Sequence, residues 1–375
     1  MSRVAIVGGG IAGLTLAAAL DLRRHEVTLF EEQPQRADAG AALALWPSAV
    51  RALDRIGVQI GQDEGDGVTE VALPSAALFD LRTGDRLVGV PRRLPDHLSR
   101  RAGALALVPR PTLLAALEDA VPDSVRRVHR AVTDPTTLDA DLVVGADGVR
   151  SRVRALVHPP AAERRATPWL ALRGIHPEPP LPGTVGEYWG PGGLAGITPL
   201  GAGTYWFTTH RSTLGPEPLD VREALTEARE RFADAAPAVR ETLAAALTTE
   251  LTAELTTELT AELTTGLTAA GPHTLATRLW LTPPMPRYAR DRYVVIGDAA
   301  HATTPNLGRG AVDGILDAAS LADTLNRGAG LGAWQLRRLP ATQAVRTLAP
   351  LVMRLALSET AAASRDRVLR AVGRR

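Results

Sequence analysis

The 375-residue chain contains no cysteine, which excludes disulfides, thiolate nucleophiles and Cys-ligated zinc or iron–sulfur centres. It contains no lysine either, so all 42 basic residues are arginines; with so much alanine and leucine beside them, this reads as genome composition. An excess of one charge sign is also missing. The basic residues face 41 acidic ones and leave a formal net charge of +1, which offers no pull toward nucleic acid or an anionic membrane. No stretch reaches the roughly 18 uncharged apolar residues that a membrane span needs. A strand pattern begins by Val4, too early for a secretory leader, so a cytoplasmic location is the expectation.

What is present is ordinary for a globular enzyme: 45% hydrophobic and 22% charged residues, in a length that suits two or three domain-sized units. Residues 4–7 form an apolar run that ends in Gly8-Gly9-Gly10-Ile11-Ala12-Gly13. A helical pattern follows over 14–23, and a second apolar run over 26–30 stops at Glu31. Strand, tight turn, helix and strand in about 30 residues have the size of a βαβ unit. A helix is expected over 48–56, after Trp46-Pro47, and a hairpin turn at Thr83-Gly84-Asp85 within the alternating stretch 68–90. Residues 110–120 read as helix, and 142–144 as a strand closed by Gly145-Ala146-Asp147-Gly148. Across 169–207, short strands broken by Gly and Pro carry Tyr188, Trp189, Tyr205, Trp206 and Phe207, the texture of an antiparallel sheet. Helix is expected over 221–268, a strand over 293–296 leading into Gly297-Asp298-Ala299-Ala300-His301, and helices over most of the rest. The fold class is α/β, a Rossmann-like domain with an interleaved antiparallel-sheet domain and C-terminal helices.

One tract stands apart. Leu247, Leu251, Leu255, Leu259, Leu263 and Leu267 recur every fourth residue among Thr, Ala and Glu. At 3.6 residues per turn that period drifts by about 40° per step, giving a slowly winding stripe. An elongated amphipathic helix is the plainer reading, a dimerisation or lid element the sharper one. Thr is a poor helix former, so the tract is expected to fray.

The chemistry begins at Gly8-x-Gly10-x-x-Gly13. Gly8 permits the tight turn, Gly10 lets the backbone approach a pyrophosphate, and Gly13 lets the helix pack against the sheet. The helix N-terminus then turns free N–H groups and a positive dipole end toward phosphate. Glu31 stands where a carboxylate binds ribose hydroxyls, and its charge argues against a 2′-phosphate there. This unit announces a dinucleotide without choosing between FAD and NAD.

Together with Asp147-Gly148 and Gly297-Asp298, this fingerprint resembles the three signatures of the flavoprotein aromatic hydroxylases, the single-component FAD monooxygenases related to p-hydroxybenzoate hydroxylase. Order and spacing match from about residue 3 to residue 345. The resemblance implies FAD as cofactor and NAD(P)H as co-substrate. The cofactor-binding residues it implies are Gly8, Gly10, Ala12, Gly13, Glu31, Arg110, Asp147, Gly297, Asp298, Pro305, Gly308, Gly310 and Ala311. Arg110 would reach the pyrophosphate and Asp298 the ribitol. The segment from Pro305 to Ala311 would run beneath the isoalloxazine ring, its N–H groups facing the N1/O2 edge where charge gathers on reduction. Asp298 can also be read as a helix cap, Asp147 as the shaper of a glycine turn, and His301 as a structural histidine.

The resemblance further implies that residues 1–70, 101–165 and 280–345 build the FAD domain. Residues 71–100 and 166–279 would build the substrate domain, including the 247–267 tract, and 346–375 a C-terminal helix. Trp46, Arg173, Tyr188 and Trp206 are the candidate substrate-lining residues, for a small hydrophobic or aromatic substrate. The implied activity is monooxygenation. NAD(P)H reduces the flavin, O₂ adds at its C4a position and one oxygen atom passes to substrate, with no metal and no protein nucleophile required. A monomer or homodimer is expected. Two departures from the family pattern stand out. The loop reads Gly308-Arg309-Gly310-Ala311-Val312 where Gly-Gln-Gly is usual, and Leu316 stands in place of a glutamate. They keep two alternatives in view: a flavoprotein cyclase or isomerase of a natural-product intermediate, and a degenerate binding protein. An Arg309 aimed at the flavin would stabilise the anionic reduced ring; one aimed at solvent would do little.

Overall fold

A computed structural model describes residues 1–33, 42–61, 67–71, 77–88, 105–215, 217–263 and 274–373. The opening unit is β1 (Ser2–Val7), α1 (Ile11–Ala19) and β2 (His25–Glu31). It is followed by β3 (Ala42–Leu45), α2 (Pro47–Asp54), β4 (Thr69–Val71), β5 (Ala77–Asp80), β6 (Arg86–Val88) and β7 (Leu105–Pro109). Next come α3 (Arg110–Ala120), β8 (Arg126–His129), β9 (Leu142–Gly145) and α4 (Val153–Val157). The chain then builds β10 (Arg165–His176), β11 (Gly186–Gly190), β12 (Gly193–Leu200), β13 (Gly203–Arg211), α5 (Val221–Arg231) and α6 (Pro237–Leu263). It closes with β14 (Thr274–Leu281), β15 (Ala289–Arg290), β16 (Tyr293–Val295), α7 (Asp298–His301), α8 (Gly310–Asn326), α9 (Leu331–Ala356) and α10 (Ala362–Gly373).

The first sheet has the order β15-β16-β9-β1-β2-β8 and is parallel apart from the β15 edge. Val4, Ala5, Ile6 and Val7 are all buried, the unbroken apolar run of a strand covered on both faces. Leu16 of α1, Leu113 of α3, Ile315 of α8 and Trp334 of α9 share that core. The second sheet, β14-β10-β13-β12-β11-β5-β6, is antiparallel except where β11 runs parallel to β5. A small third sheet, β3-β7-β4, lies between them in sequence and in packing. This is the α/β class expected.

The second sheet is covered differently on its two sides. Leu170, Leu172, Tyr188 and Trp206 pack against Leu225 and Phe232 of the α5 region and Leu243 of α6. Its other side meets Met353 and Leu357 from the end of α9 through Trp169, Ala171 and Leu194. On that same side it meets Ala42 of β3 and Leu107 of β7 through Tyr205 and Leu200.

Two helical expectations are corrected. The stretch 221–268 is two helices, because Pro237, which has no N–H to leave unpaired, opens a new one after the bend at 232–236. Leu247, the first of the leucine stripe, packs against the core beside Leu243, whereas Leu251 is already 39% exposed, as the drift of a four-residue period requires. Leu267 lies outside the described residues. The C-terminal stretch from 346 is the second half of α9, then a turn at Leu357, then α10.

Candidate functional site

The parallel sheet assembles the candidate cofactor residues along one edge formed by the carboxyl ends of β1, β2, β9 and β16. Gly8 takes φ +102°, a conformation that side chains disfavour, and a Cβ on it would lie 2.4 Å from the Ala146 carbonyl oxygen. A Cβ on Gly13 would lie 1.9 Å from the Gly8 oxygen, so α1 can seat on the turn only without one. Gly10 is the N-cap of α1 and supplies no side-chain cap, leaving the first-turn N–H groups for a ligand. Glu31 folds back over this turn: its Oε2 accepts from the Gly9 N–H at 2.7 Å and its Oε1 from Gln33 at 2.9 Å. The Ala12 methyl lies 3.2 Å from where a Cβ on Gly297 would sit, so it seats α1 against the Gly297-Asp298 turn.

β9 pairs with β1, setting Gly145 opposite Val7, and so delivers Asp147 to the glycine turn. Asp147 Oδ2 accepts from the Arg152 N–H at 2.8 Å, while Oδ1 is buried with no partner among the described residues. Burial pushes this carboxyl above its ordinary range against the pull of its hydrogen bonds to Ser151, Arg152 and Val153. β16 lies beside β9 and delivers Asp298. Asp298 opens α7 without capping it: Gly297 is the N-cap, and the Asp298 carboxylate points toward Gly310, 3.9 Å from where its Cβ would be. Pro305 begins a short turn that ends at Gly308 in the left-handed region, and α8 starts at Gly310-Ala311. In that turn both side-chain atoms of the Asn306 amide are buried with no partner among the described residues. Arg110 is the first residue of α3. A buried amide and a carboxylate oxygen awaiting partners, a side-chain-free cradle and a helix N-terminus are a donor and acceptor set that fits a bound flavin dinucleotide.

Behind this edge runs a buried ion chain that motif reading did not anticipate. His301 Nε2 lies 2.6 Å from Asp317 Oδ2, which also accepts from the Gly297 N–H at 3.1 Å. Arg338 of α9 donates to Asp317 Oδ1 at 2.7 Å and to Asp313 at 3.3 Å, and Arg309 donates to Asp313 at 2.6 Å. Burial would lower the His301 pKa, but contact with Asp317 outweighs it and holds the imidazole above its ordinary value. Burial would raise Asp317, but His301 and Arg338 outweigh it and hold the carboxyl below its ordinary range. His301 is therefore a structural member of this chain. Arg309 turns back along α8 onto Asp313, which neutralises it.

The candidate substrate residues separate by face. Tyr188 and Trp206 pack in the helix-covered core. Tyr188 stacks on Phe79 with ring centroids 4.8 Å apart and donates to the Thr184 carbonyl at 2.7 Å; burial pushes its pKa to about 12. Their burial under α5 and α6 corrects the expectation that these two line a pocket, and alternation sends their neighbours Glu187, Trp189, Tyr205 and Phe207 to the opposite face. Arg173 pairs with Phe207 across β10–β13 and shares that face. Trp46 stands at the junction of the halves: its indole nitrogen is 3.8 Å from where a Cβ on Gly308 would sit. Just before it, β3 brings Ala42 and Ala44 onto Tyr205 and Phe207. The row Arg173–Phe207–Gly196–Glu187 thus runs between the α9 contact and the β3 contact, beside the Gly308 loop.

This fold and site define a flavin-dependent enzyme, and comparison with known proteins agrees. An FAD binding domain family matches residues 92–329, and an NAD(P)-binding Rossmann-like domain matches residues 6–37. The chain belongs to the family of FAD-dependent monooxygenases of the aromatic hydroxylase type, with FAD as its cofactor. It is 30% identical to the FAD-dependent monooxygenase sor5 of Hypocrea jecorina, over 89% of this chain and 78% of that protein. It is 31% identical to 3-amino-4-hydroxybenzoate 2-monooxygenase of Streptomyces cremeus, over 92% and 84%. In structure it resembles Klebsiella pneumoniae HpxO complexed with FAD and uric acid, at a TM-score of 0.74 and 21% identity, covering 99% of this chain and 93% of that one. Among the described residues no helix is long and apolar enough to cross a membrane.

Proposed function

We propose that the protein uses NAD(P)H and O₂ to insert one oxygen atom into a small aromatic or otherwise hydrophobic substrate of natural-product type, the second oxygen leaving as water. One observation carries this reading: β3, Trp46 and the Gly308 loop bring the cofactor edge and the Arg173–Phe207–Glu187 row to one place. Bound FAD supplies the electron transfer and oxygen activation that no side chain here provides. The chain's own part is to bind, orient and enclose. Gly8, Gly10 and Gly13 with Arg110 hold the pyrophosphate, Glu31 the adenosine ribose, and Asp147 and Asp298 the stretch toward the ring. Pro305, Gly308, Gly310 and Ala311 present the start of α8, whose dipole favours negative charge nearby. Tyr205, Phe207 and Trp46 make the apolar wall that keeps water from the reacting face. The pairing of Arg309 with Asp313 removes the free charge that would set this loop apart from a hydroxylase, so oxygenation is favoured over a cyclase or isomerase role. The substrate in one relative's name, 3-amino-4-hydroxybenzoate, is an electron-rich arene of the size this reading needs.

The test is direct. Purified protein should be yellow, should oxidise NADH or NADPH when given one of a panel of small arenes, and should place a single ¹⁸O atom from ¹⁸O₂ in the product. Retained FAD without arene-stimulated nicotinamide oxidation overturns the reading.

A further inference from the structure

Helix α9 is apolar on two sides. One side is buried: Trp334 joins the first core, and Met353 and Ala356 meet the second sheet. The other side is open. Of the nine large hydrophobic side chains that stand exposed among the described residues, six lie on α9 and α10: Leu336, Leu348, Leu351, Leu355, Val368 and Val372. Leu336 is 77% exposed and Leu355, toward the far end of α9, 48%. Leu336, Pro340, Ala344, Leu348, Leu351 and Leu355 follow one another in steps of three or four residues, all exposed, and so share one face. At 1.5 Å per residue that stripe is about 28 Å long. Helix α10 is pinned to its end by Arg365, which donates to the Leu355 carbonyl at 3.1 Å, and adds Val368 and Val372. Single leucines scattered over a surface need no explanation, but a stripe of this length does.

Every charge on α9 has one sign. Residues 331–358 contain four arginines and no acidic residue, so the net charge of +1 conceals a basic end to the chain. Beyond it, Asp366 is held by Arg365 at 2.8 Å, and Glu359 lies in the turn between α9 and α10, beside Gly192. Two of the four arginines turn inward, Arg338 to Asp317 and Arg346 to the Thr282 carbonyl. The other two, Arg337 and Arg354, stay exposed at the two ends of the stripe and form no ion pair among the described residues.

We propose that this face docks on the surface of an anionic lipid bilayer, the leucines of α9 entering the headgroup boundary and Arg337 and Arg354 reaching lipid phosphates. The charge pattern selects this occupant. A bilayer with anionic headgroups takes up both the apolar stripe and the unpaired guanidiniums. Nucleic acid would use the arginines and leave the leucines in water. A second copy packed through the same face would bring like charges together, with no acid on either α9 to match them. The docking is peripheral, with α9 lying in the plane of the surface, since among the described residues no helix is long and apolar enough to cross a membrane. Through Met353 and Leu357 the same helix covers the second sheet, so docking sets that sheet one helix diameter, about 10 Å, from lipid. That is a short path for a substrate that partitions into the bilayer.

The experiment sediments the full-length, FAD-loaded protein with vesicles of phosphatidylcholine alone and with vesicles in which about a third of the lipid is phosphatidylglycerol. The protein should bind the anionic vesicles about tenfold or more tightly than the neutral ones, and salt should release it as the Debye length shrinks. Arg337→Gln and Arg354→Gln should each weaken that binding about fivefold. The double variant Leu351→Gln/Leu355→Gln should weaken it about tenfold while retaining FAD, because both side chains already stand in water. The arginine variants keep the test open if the leucine variant fails to fold. Sedimentation with neither vesicle, equal sedimentation with both, or variants that bind as wild type does overturns the proposal. A dimer in light scattering that the leucine variant converts to a monomer, without vesicle binding, overturns it as well and gives the face to a second copy.

Discussion

Replacing Asp317 by Asn removes one charge from the middle of the ion chain behind the cofactor edge. Asp317 is fully buried and engages three elements at once: the Gly297 turn, His301 on α7 and Arg338 on α9. Asn keeps the shape but leaves Arg338 half-paired on Asp313 and presents a neutral group to His301. Removing one partner of a buried pair costs about 3–5 kcal/mol. At about 2.1 cal/mol/K of unfolding entropy per residue, 375 residues give about 0.8 kcal/mol/K, so Tm should fall by about 4–6 °C if the chain melts as one unit. The loss should depend on pH. His301 has a raised folded pKa, so its contribution is complete below its unfolded value, about 6.5, and is lost as pH rises through the folded one. Asp317 has a lowered folded pKa, so its contribution is present above about 3.9 and is lost as pH falls through the folded value. The gap between wild type and variant should therefore be widest between those limits and narrow on the alkaline side. Circular dichroism melts of apo and FAD-loaded protein at several pH values measure this. A gap below about 1 °C at every pH, the size of an ordinary surface substitution, would show that the chain does not hold the three elements together.

Four further outcomes follow from the same geometry. Gly8→Ala forces a Cβ against the Ala146 carbonyl at a positive φ, so FAD affinity should fall more than about tenfold, read from the 450 nm to 280 nm ratio after dialysis. Arg309→Gln should shift the flavin midpoint potential by less than about 30 mV, the equivalent of 1.4 kcal/mol for a two-electron couple, because its charge is already matched by Asp313; a larger fall would place the guanidinium on the ring. Trp206→Ala should cost about 3–5 kcal/mol of stability in a urea melt and leave arene affinity unchanged. Phe207→Ala should weaken arene binding by about 0.5–1.5 kcal/mol, roughly two- to twelvefold.

The elements that motif reading located well are those whose chemistry is local. The βαβ unit is legible because a tight turn, a helix start and a terminal carboxylate must fall within about 30 residues of one another. Helix α3 begins at Arg110 because Pro at the next position suits a first turn, and it ends at Ala120 in both readings. The ion chain was hidden because its members are contributed by α7, α8 and α9, and nothing in the local pattern around Arg338 announces a partner on another helix. The Asp313 that matches Arg309 stands one turn further along α8, where an exposed i,i+4 pair and a buried one read alike.

The substrate face shows a different limit, one of parity. In Gly186-Glu187-Tyr188-Trp189-Gly190 and in Gly203-Thr204-Tyr205-Trp206-Phe207, aromatic residues occur on both faces, because both faces of this sheet are covered: one by α5 and α6, the other by α9, β3 and β7. Alternation states that Tyr188 and Trp189 diverge, but not which of them turns toward the cofactor. A strand half in water would have revealed its inner face by its apolar residues; a strand buried twice does not. The remaining signal was polar. On the helix-covered face the ionisable groups are matched within the protein: Tyr188 donates to the Thr184 carbonyl, and His210 meets Glu227 of α5. The opposite face carries Arg173 and Glu187 beside Tyr205 and Phe207, so polar residues, rather than aromatics, distinguish the two faces.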